Sequence, residues 1–407
     1  MMPRRIFLSL SLLLGFAGVV GALPDSALAA GVVGTGAAAS CTDTALNTAL
    51  AGGGLVTFNC GTAPVTIDIS TGTGTKIISV DTTIDGSGGQ ITISGGNSVR
   101  VFQVLSGVTF SVQNLTIANG LANAGGLGNF GGGIFNDGGT VTVTNSTLSG
   151  NTSGGGFGGG GIFNNGNGGT VTVTNSTFSG NIASVNAGGG IFNNGGPVTV
   201  TNSTFSGNTS ATGGGGIFNQ GGPVTVTNST FSGNTATGGV GGGAIYNNGA
   251  TVRLTNTIVA NSPSGGNCRG SAVTDGGHNL DDGTTCGFSA ANHSLSGTPA
   301  QLDPAGLANH GGPTQTIALC TGTGTPASCT GASPAIDGGD DAVTGPPDNL
   351  TTDQRGRPRR AGAHVDIGAF EVQPPAGVPA VSSVGLIGLI LLLSAVGGLA
   401  LRRRAPA

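Results

Sequence analysis

Charge is scarce in this chain. Charged residues fill 7% of its 407 positions, against about 25% in ordinary soluble domains. Between Gly120 and Thr251 the one charged residue is Asp137. Taking Arg4, Arg5, Arg402, Arg403 and Arg404 from the 13 basic residues, and Asp25 from the 17 acidic ones, leaves 8 against 16. A body this acidic and this sparsely charged has no basic patch for a phosphate backbone, which excludes nucleic acid as a partner. Tryptophan is absent and tyrosine occurs once. Helical spacing is missing as well: no stretch repeats its apolar residues every three to four positions, and 83 glycines would penalise helices.

What is present is a repeat. Gly-Gly-Ile-Phe-Asn begins at Gly132, Gly160, Gly189 and Gly215, and Gly-Ala-Ile-Tyr-Asn begins at Gly243. Each copy is followed by a threonine/valine run: Thr140 to Asn145, Thr170 to Asn175, Val198 to Asn202, Val224 to Asn228 and Val252 to Asn256. The leading isoleucines (134, 162, 191, 217, 245) are 28, 29, 26 and 28 residues apart. A period of this size marks stacked units, none of which can bury its apolar face alone. Thr-Val-Thr-Val-Thr alternates with period two, as a strand does. Each unit offers three such segments, Gly-Ile-Phe-Asn, Thr-Val-Thr-Val-Thr and Ser-Thr-Phe-Ser-Gly, separated by glycine or asparagine. The expected fold is all-β, a parallel β-helix of about 26–29 residues per coil, right-handed because parallel crossovers favour that hand.

The alignment predicts columns. Val143, Val173, Val200, Val226 and Leu254 form one inward column, beside Val141, Val171, Val198, Val224 and Val252. Leu148, Phe178, Phe205, Phe231 and Ile258 form another, and the five isoleucines a third. Phe135, Phe163, Phe192, Phe218 and Tyr246 follow the isoleucines; the phenylalanine-to-tyrosine change predicts an outward-facing aromatic column available for contact. Asn145, Asn175, Asn202, Asn228 and Asn256 form a structural turn ladder, with further asparagine columns at 136 to 247 and 151 to 234. Asparagine suits this because it tolerates left-handed backbone and its amide can bond to its copies above and below.

The ends read differently. Residues 1–29 have the layout of a secretory signal: Arg4 and Arg5, an apolar stretch, then Ala27-Leu28-Ala29. Export permits disulfides, and the cysteines form local pairs, Cys41/Cys60, Cys268/Cys286 and Cys320/Cys329. Residues 30–120 form an N-terminal cap and the first coils, 121–262 the regular repeats, 263–372 the last coils and a cap region, and 373–383 a linker. Val384 to Leu401 is apolar and long enough to span a membrane, with residues 402–407 as a basic cytoplasmic tail.

The repeats resemble those of bacterial polymorphic outer-membrane proteins, with Gly-Gly-Ala-Ile at 242–245 and Phe-x-x-Asn at Phe178-Ser-Gly-Asn181, Phe205-Ser-Gly-Asn208 and Phe231-Ser-Gly-Asn234. Residues 275–371 resemble the choice-of-anchor Q type of bacterial surface protein, through Asp275-Gly-Gly-His-Asn-Leu280, Asn309-His-Gly-Gly-Pro-Thr-Gln-Thr316, Ser333-Pro-Ala-Ile-Asp337, Asp353-Gln-Arg-Gly356 and Asp366-Ile-Gly-Ala-Phe-Glu371. Val378 to Gly385, including Pro379 and Ser382, with the apolar span and Arg402, Arg403 and Arg404, is similar to IPTL-CTERM sorting tails, with Val384 where such tails usually have tryptophan. The resemblances imply a cell-surface protein whose tail is read by a sorting protease, and they supply no catalytic residue.

The alternative expectation is an enzyme, since many parallel β-helices resemble polysaccharide lyases and hydrolases. Such chemistry needs clustered carboxylates with a basic residue nearby. Asp81 and Asp85 are the candidates, near Asp68, Lys76 and Arg100, followed by Asp275, Asp281, Asp282 and His278. Asp337, Asp340 and Asp341 are the candidates for calcium, the one cofactor considered; Arg355, Arg357, Arg359 and Arg360 are expected to pair with Asp348, Asp353, Asp366 and Glu371 inside a cap. A third reading is an ice-binding face built from Thr142, Thr172, Thr199 and Thr225 beside Thr144, Thr174, Thr201 and Thr227. The favoured expectation is a non-catalytic surface protein, adhesin-like or a stalk, whose partner is a glycan, a protein or a neighbouring cell.

Overall fold

The computed structural model describes residues 31–374, apart from 124–128, 157, 186 and 323. The signal region, the apolar span, and Pro379, Ser382, Gly385 and Arg402–Arg404 lie outside the described residues. Among those residues no helix is long and apolar enough to cross a membrane.

The chain winds into a parallel β-solenoid. Ten strands from Gly31–Val33 to Thr274–Asp275 form a threonine–valine sheet, and ten from Val65–Asp68 to Leu295–Ser296 form a flank sheet. Eight more, from Lys76–Ile78 to Cys268–Gly270, form an isoleucine sheet. A fourth sheet of five two-residue strands (Leu121–Ala122, Thr152–Ser153, Ile182–Ala183, Thr209–Ser210, Thr235–Ala236) was not expected from the sequence. These segments are too short to show a pattern of their own; they become strands because equivalent positions of successive coils pair in register.

Register follows the repeat. Val143 pairs with Val173, Val173 with Val200, Val200 with Val226 and Val226 with Leu254. The two valine columns and the isoleucine column are at most 1% exposed and form one continuous lumen core. Phe178, Phe205 and Phe231 stack inside it, with centroids 4.6 Å apart at each step. The column next places Val259, not Ile258, beside Phe231. Ile258 instead pairs with Thr230 and faces out into a second apolar cluster, with Leu280, Ile317, Ile367 and Phe370.

Two asparagine columns are buried amide ladders. Asn136, Asn164, Asn193, Asn219 and Asn247 pass Nδ2 to the next Oδ1 at 2.8–3.3 Å. Asn151, Asn181, Asn208 and Asn234 do the same at 2.8–2.9 Å. The Asn145 column plays the other role: all five residues sit at φ between 46° and 49°, turning the chain from the threonine–valine sheet to the flank sheet. One of its side chains continues upward, from Asn145 to Asn114.

The glycine triplets before each isoleucine are a packing requirement. At Gly188 an added Cβ would lie 1.8 Å from the Ile191 carbonyl oxygen, and at Gly189 it would lie 2.4 Å from the carbonyl oxygen of Gly215 in the next coil. Gly159, Gly188 and Gly214 also bridge one another in parallel. These close approaches bring the loops over the outer side of the isoleucine sheet, and that corrects one expectation. The aromatic column does point away from the lumen, but Phe135, Phe163, Phe192 and Phe218 are at most 4% exposed and form their own cluster with Phe130 and Tyr246. Phe130 and Tyr246, at the two ends of the cluster, are partly open.

One α-helix, Asp43–Leu50, also departs from the expectation of no helix. Thr42 caps it by accepting from the Ala45 N–H at 3.2 Å, and Leu46 and Ala49 face the solenoid end. Two turns are too few for a periodic pattern to stand out. Lys76 pairs with Asp43, and the Cys41–Cys60 disulfide holds the cap to the first coils. Cys268–Cys286 and Cys320–Cys329 are also formed.

Candidate functional site: a threonine groove on the flank

Residues 298–374 do not close off the solenoid as an end cap. They run back along the outside of the flank sheet as a strap. Asn256 donates to the Asp340 carbonyl (3.2 Å), Thr230 Oγ1 accepts from the Ala369 N–H (3.0 Å), and Asn202 donates to the Thr352 carbonyl (2.9 Å). Thr177 donates to the Gln315 carbonyl at 2.6 Å, and Thr314 to the Asn175 carbonyl at 3.1 Å. Partners 84 to 150 positions apart in sequence are joined this way. The strap's interior holds buried ionic groups. Arg355 pairs with Asp353 at 2.6 Å and lies over the Phe370 ring at 3.6 Å. Arg359 is fully buried and donates to the carbonyls of Asp366 and Gly368.

Asp366 and Glu371 are buried in the same network, and burial pushes their carboxyls up to about 6 and about 7. Over the window from about pH 4 to 7 the folded strap therefore holds protons that the unfolded chain has released, so its stability falls as pH rises. His310, against Thr316 and Phe370 and close to Arg355 and Arg357, acts in the opposite sense, since burial holds it below its ordinary value. Asp337, Asp353 and Arg359 are the other charged groups facing the pair. Comparing the wild type with Glu371→Gln isolates one carboxyl. The wild-type advantage in unfolding free energy, read by urea titration, is expected to grow from pH 8 to pH 5 by on the order of 2 kcal/mol, and parallel pH profiles for the two proteins would refute it.

The strap makes the groove. The outer face of the flank sheet carries one file of threonines in register: Thr66, Thr92, Thr116, Thr147, Thr177, Thr204 and Thr230. Under the strap Thr177, Thr204 and Thr230 are at most 1% exposed. Beyond its leading loop, Thr66, Thr92, Thr116 and Thr147 line an open cleft of about 390 Å³. Asn309, Gly312 and Pro313 of the strap wall one end, and Gln90 adds an amide; the backbone beside Val65, Ile91 and Leu115, whose side chains belong to the lumen core, and Asn114, whose amide is taken by Asp85, Ser87 and Asn145, complete the lining. No ionisable side chain lines it.

No family model matches this chain, and neither does any curated protein or solved structure.

The ionisable candidates are dispersed. Asp81 accepts from the Thr109 N–H at 2.8 Å, while Asp85 accepts from the Ser87 N–H and hydroxyl and from Asn114. Asp85 is held below its usual range: the hydrogen bonds from Ser87 and Asn114 outweigh burial, which is the largest single influence and raises it. Lys76 is taken by Asp43, and Arg100 Nε by the carbonyls of Phe130 and Gly131. Asp275 binds the Gly277 and Ser289 N–H groups, Asn279 and Ser294. His278 Nδ1 lies 2.9 Å from the Gly338 carbonyl, and Asp281 and Asp282 both accept from Asn267.

The calcium candidates are likewise engaged by the chain itself. Asp337 accepts from the His364 N–H, Asp340 caps its own turn by accepting from Ala342, and Asp341 faces His364 and Arg360 at 3.1 and 3.2 Å. Among the described residues no three His, Cys, Asp or Glu side chains gather as a metal site would need. On the threonine–valine sheet, the files Thr142–Thr172–Thr199–Thr225 and Thr144–Thr174–Thr201–Thr227 are in register. Arg253 follows the first file, and Asp85 and Gln113 precede the second.

The sequence held a signal for the groove. Val65-Thr66-Ile67, Ile91-Thr92-Ile93 and Leu115-Thr116-Ile117 are the early-coil counterparts of Ser-Thr-Phe-Ser. Without the Phe-Ser-Gly-Asn ending they do not align by eye, so sequence reasoning missed them.

Proposed function

We propose that this protein is an exported, non-catalytic surface protein that uses the flank groove to bind a neutral glycan. The observation that carries this reading is the cleft itself: a regular row of hydroxyls with the amides of Gln90 and Asn309, and no ionisable group among its lining residues. Hydroxyls and amides suit sugar hydroxyls in both donor and acceptor roles. General acid–base chemistry needs a titratable group within hydrogen-bond reach of the substrate, and the lining offers none. The disulfides favour an oxidising compartment. The signal-like residues 1–29, the choice-of-anchor Q-like segment and the sorting-like tail support export and attachment at the cell surface, with a sorting protease as processing partner.

The test is a glycan array probed with the purified chain, followed by incubation of any ligand found and analysis of its length. Binding to neutral glycans without shortening is the expected result. Depolymerisation lost in Asp81→Ala or Asp85→Ala would replace this reading with the enzyme, and silence across the neutral panel would remove it.

A further inference from the structure

We infer that one corner of the solenoid modifies itself: Asn165, Asn167, Asn194 and Asn248 close onto the glycines that follow them and convert to aspartate and isoaspartate. The chain holds five Asn-Gly pairs, at 119, 165, 167, 194 and 248. All but the first fall at the bend between the isoleucine sheet and the threonine–valine sheet. Asn165, Asn194 and Asn248 are equivalent positions there, each one residue beyond the buried ladder of Asn164, Asn193 and Asn247. Asp137 opens the file, and Gln220 stands in it between Asn194 and Asn248.

The bend leaves these pairs open to attack. Ladder bonding stops at each asparagine: the N–H groups of Asn165, Asn194 and Asn248 donate to the carbonyls of Asn136, Asn164 and Asn219. Strand pairing resumes at Thr170, Val198 and Val252, so Gly166, Gly168, Gly195 and Gly249 lie between ladders. The Gly166 N–H points at its neighbour's side chain, 2.8 Å from Asn165 Oδ1, which sets the attacking nitrogen beside the carboxamide. Glycine has no Cβ to hinder the approach and turns freely enough to close the ring. Asn167, Asn194 and Asn248 are exposed, and Asn165 is half-buried. Asn119 shows the opposite arrangement. Gly120 is buried and gives its N–H to Asn151 Oδ1 at 2.9 Å. Ladder bonds continue on both sides of it, from the Asn119 N–H to Ser149 and from the Leu121 N–H to Val99.

In the reaction the glycine nitrogen gives up its proton and bonds to the asparagine Cγ. The Cγ–Nδ2 bond breaks, and ammonia leaves with that proton. Water, the one co-reactant, then opens the cyclic imide at either carbonyl. Each event puts a carboxylate on a stretch, Gly120 to Thr251, whose one charge is Asp137. Asn165 Nδ2 donates to Asp137 Oδ1 at 2.8 Å. Its conversion replaces that bond with two carboxylates about one rung, ~4.8 Å, apart, and like charges across a ladder repel. Gln220 would have to close a larger ring, so the file is interrupted there.

The experiment ages the full chain in alkaline buffer, folded and, in parallel, unfolded in urea. Peptide mass mapping with isoaspartate detection follows each asparagine. In the folded chain the corner asparagines are expected to convert at least about tenfold faster than Asn119, a difference of ~1.4 kcal/mol in barrier. In urea all the pairs should convert at similar rates. Gln220→Asn, which adds an Asn-Gly pair to the same file, is expected to convert with the corner set. Asn119 converting as fast as the corner in the folded chain would overturn the inference, since the dipeptide alone would then decide. Corner asparagines that stay intact while the unfolded chain reacts would overturn it as well, by showing that the bend locks them.

Discussion

Phe205→Ala is expected to lower the unfolding free energy by about 3–5 kcal/mol, the range for deleting a buried phenylalanine. The ring is fully buried and stacks on Phe178 and Phe231, with interplanar angles of 6° and 11°. Its edge also meets the glycine backbone: a Cβ on Gly190 would lie 3.0 Å from the ring. The lumen has little means of closing the hole, because each coil's path is held by ladder bonds to the coils on either side. In a solenoid the damage should be local at first, since each unit contacts only its neighbours. Hydrogen exchange is therefore expected to quicken first in residues of the coils carrying Phe178, Phe205 and Phe231. A measured loss below about 1 kcal/mol would mean that the column is not packed as described.

Asn208→Leu should be comparably damaging, although leucine is nearly the same size. The Asn208 amide donates to Asn234 Oδ1 and to the Phe178 carbonyl, both at 2.9 Å, and accepts from the Asn181 amide at 2.8 Å and the Asn181 N–H at 3.1 Å. Leucine would leave buried partners on two adjacent coils without a bond, at about 1–3 kcal/mol for each orphaned group. We expect a total of about 4 kcal/mol by denaturant titration. Asn145→Gly is the contrasting case. That residue sits at φ 48° and spends its amide on one bond, to Asn114 at 3.2 Å. Glycine accepts this backbone freely, so the change should cost no more than about 1 kcal/mol. Equal losses at the two positions would contradict the distinction between buried ladder and left-handed turn.

The two asparagine roles illustrate what a sequence shows and what it leaves open. Period, columns and alternation were legible because stacking copies every residue type onto itself, so one coil's pattern is confirmed by the next. The valine and isoleucine columns and the three local disulfides follow from that logic and from cysteine spacing. Which asparagine column bonds along the stack, and which turns the chain, was not legible, because both recur with the same spacing. Ile258 shows the limit from the other side: at the last coil the pattern Thr257-Ile258-Val259 places apolar residues on both faces, and only pairing with Thr230 and Phe231 decided which one enters the lumen.

The sequence by itself determined a parallel stack of strands, its period and its inward columns, since those depend on neighbours that the repeat supplies. Tertiary structure alone decided that the aromatic column is covered by glycine loops and that residues 298–374 lie along the flank instead of over the end. It thereby decided the site, for the strap buries three threonines of a seven-residue file and leaves four open. The physical reason is range. Strand and turn preferences are set by residues a few positions apart, whereas the bond from Gln354 to Thr177 joins residues 177 positions apart, and no local pattern carries that distance.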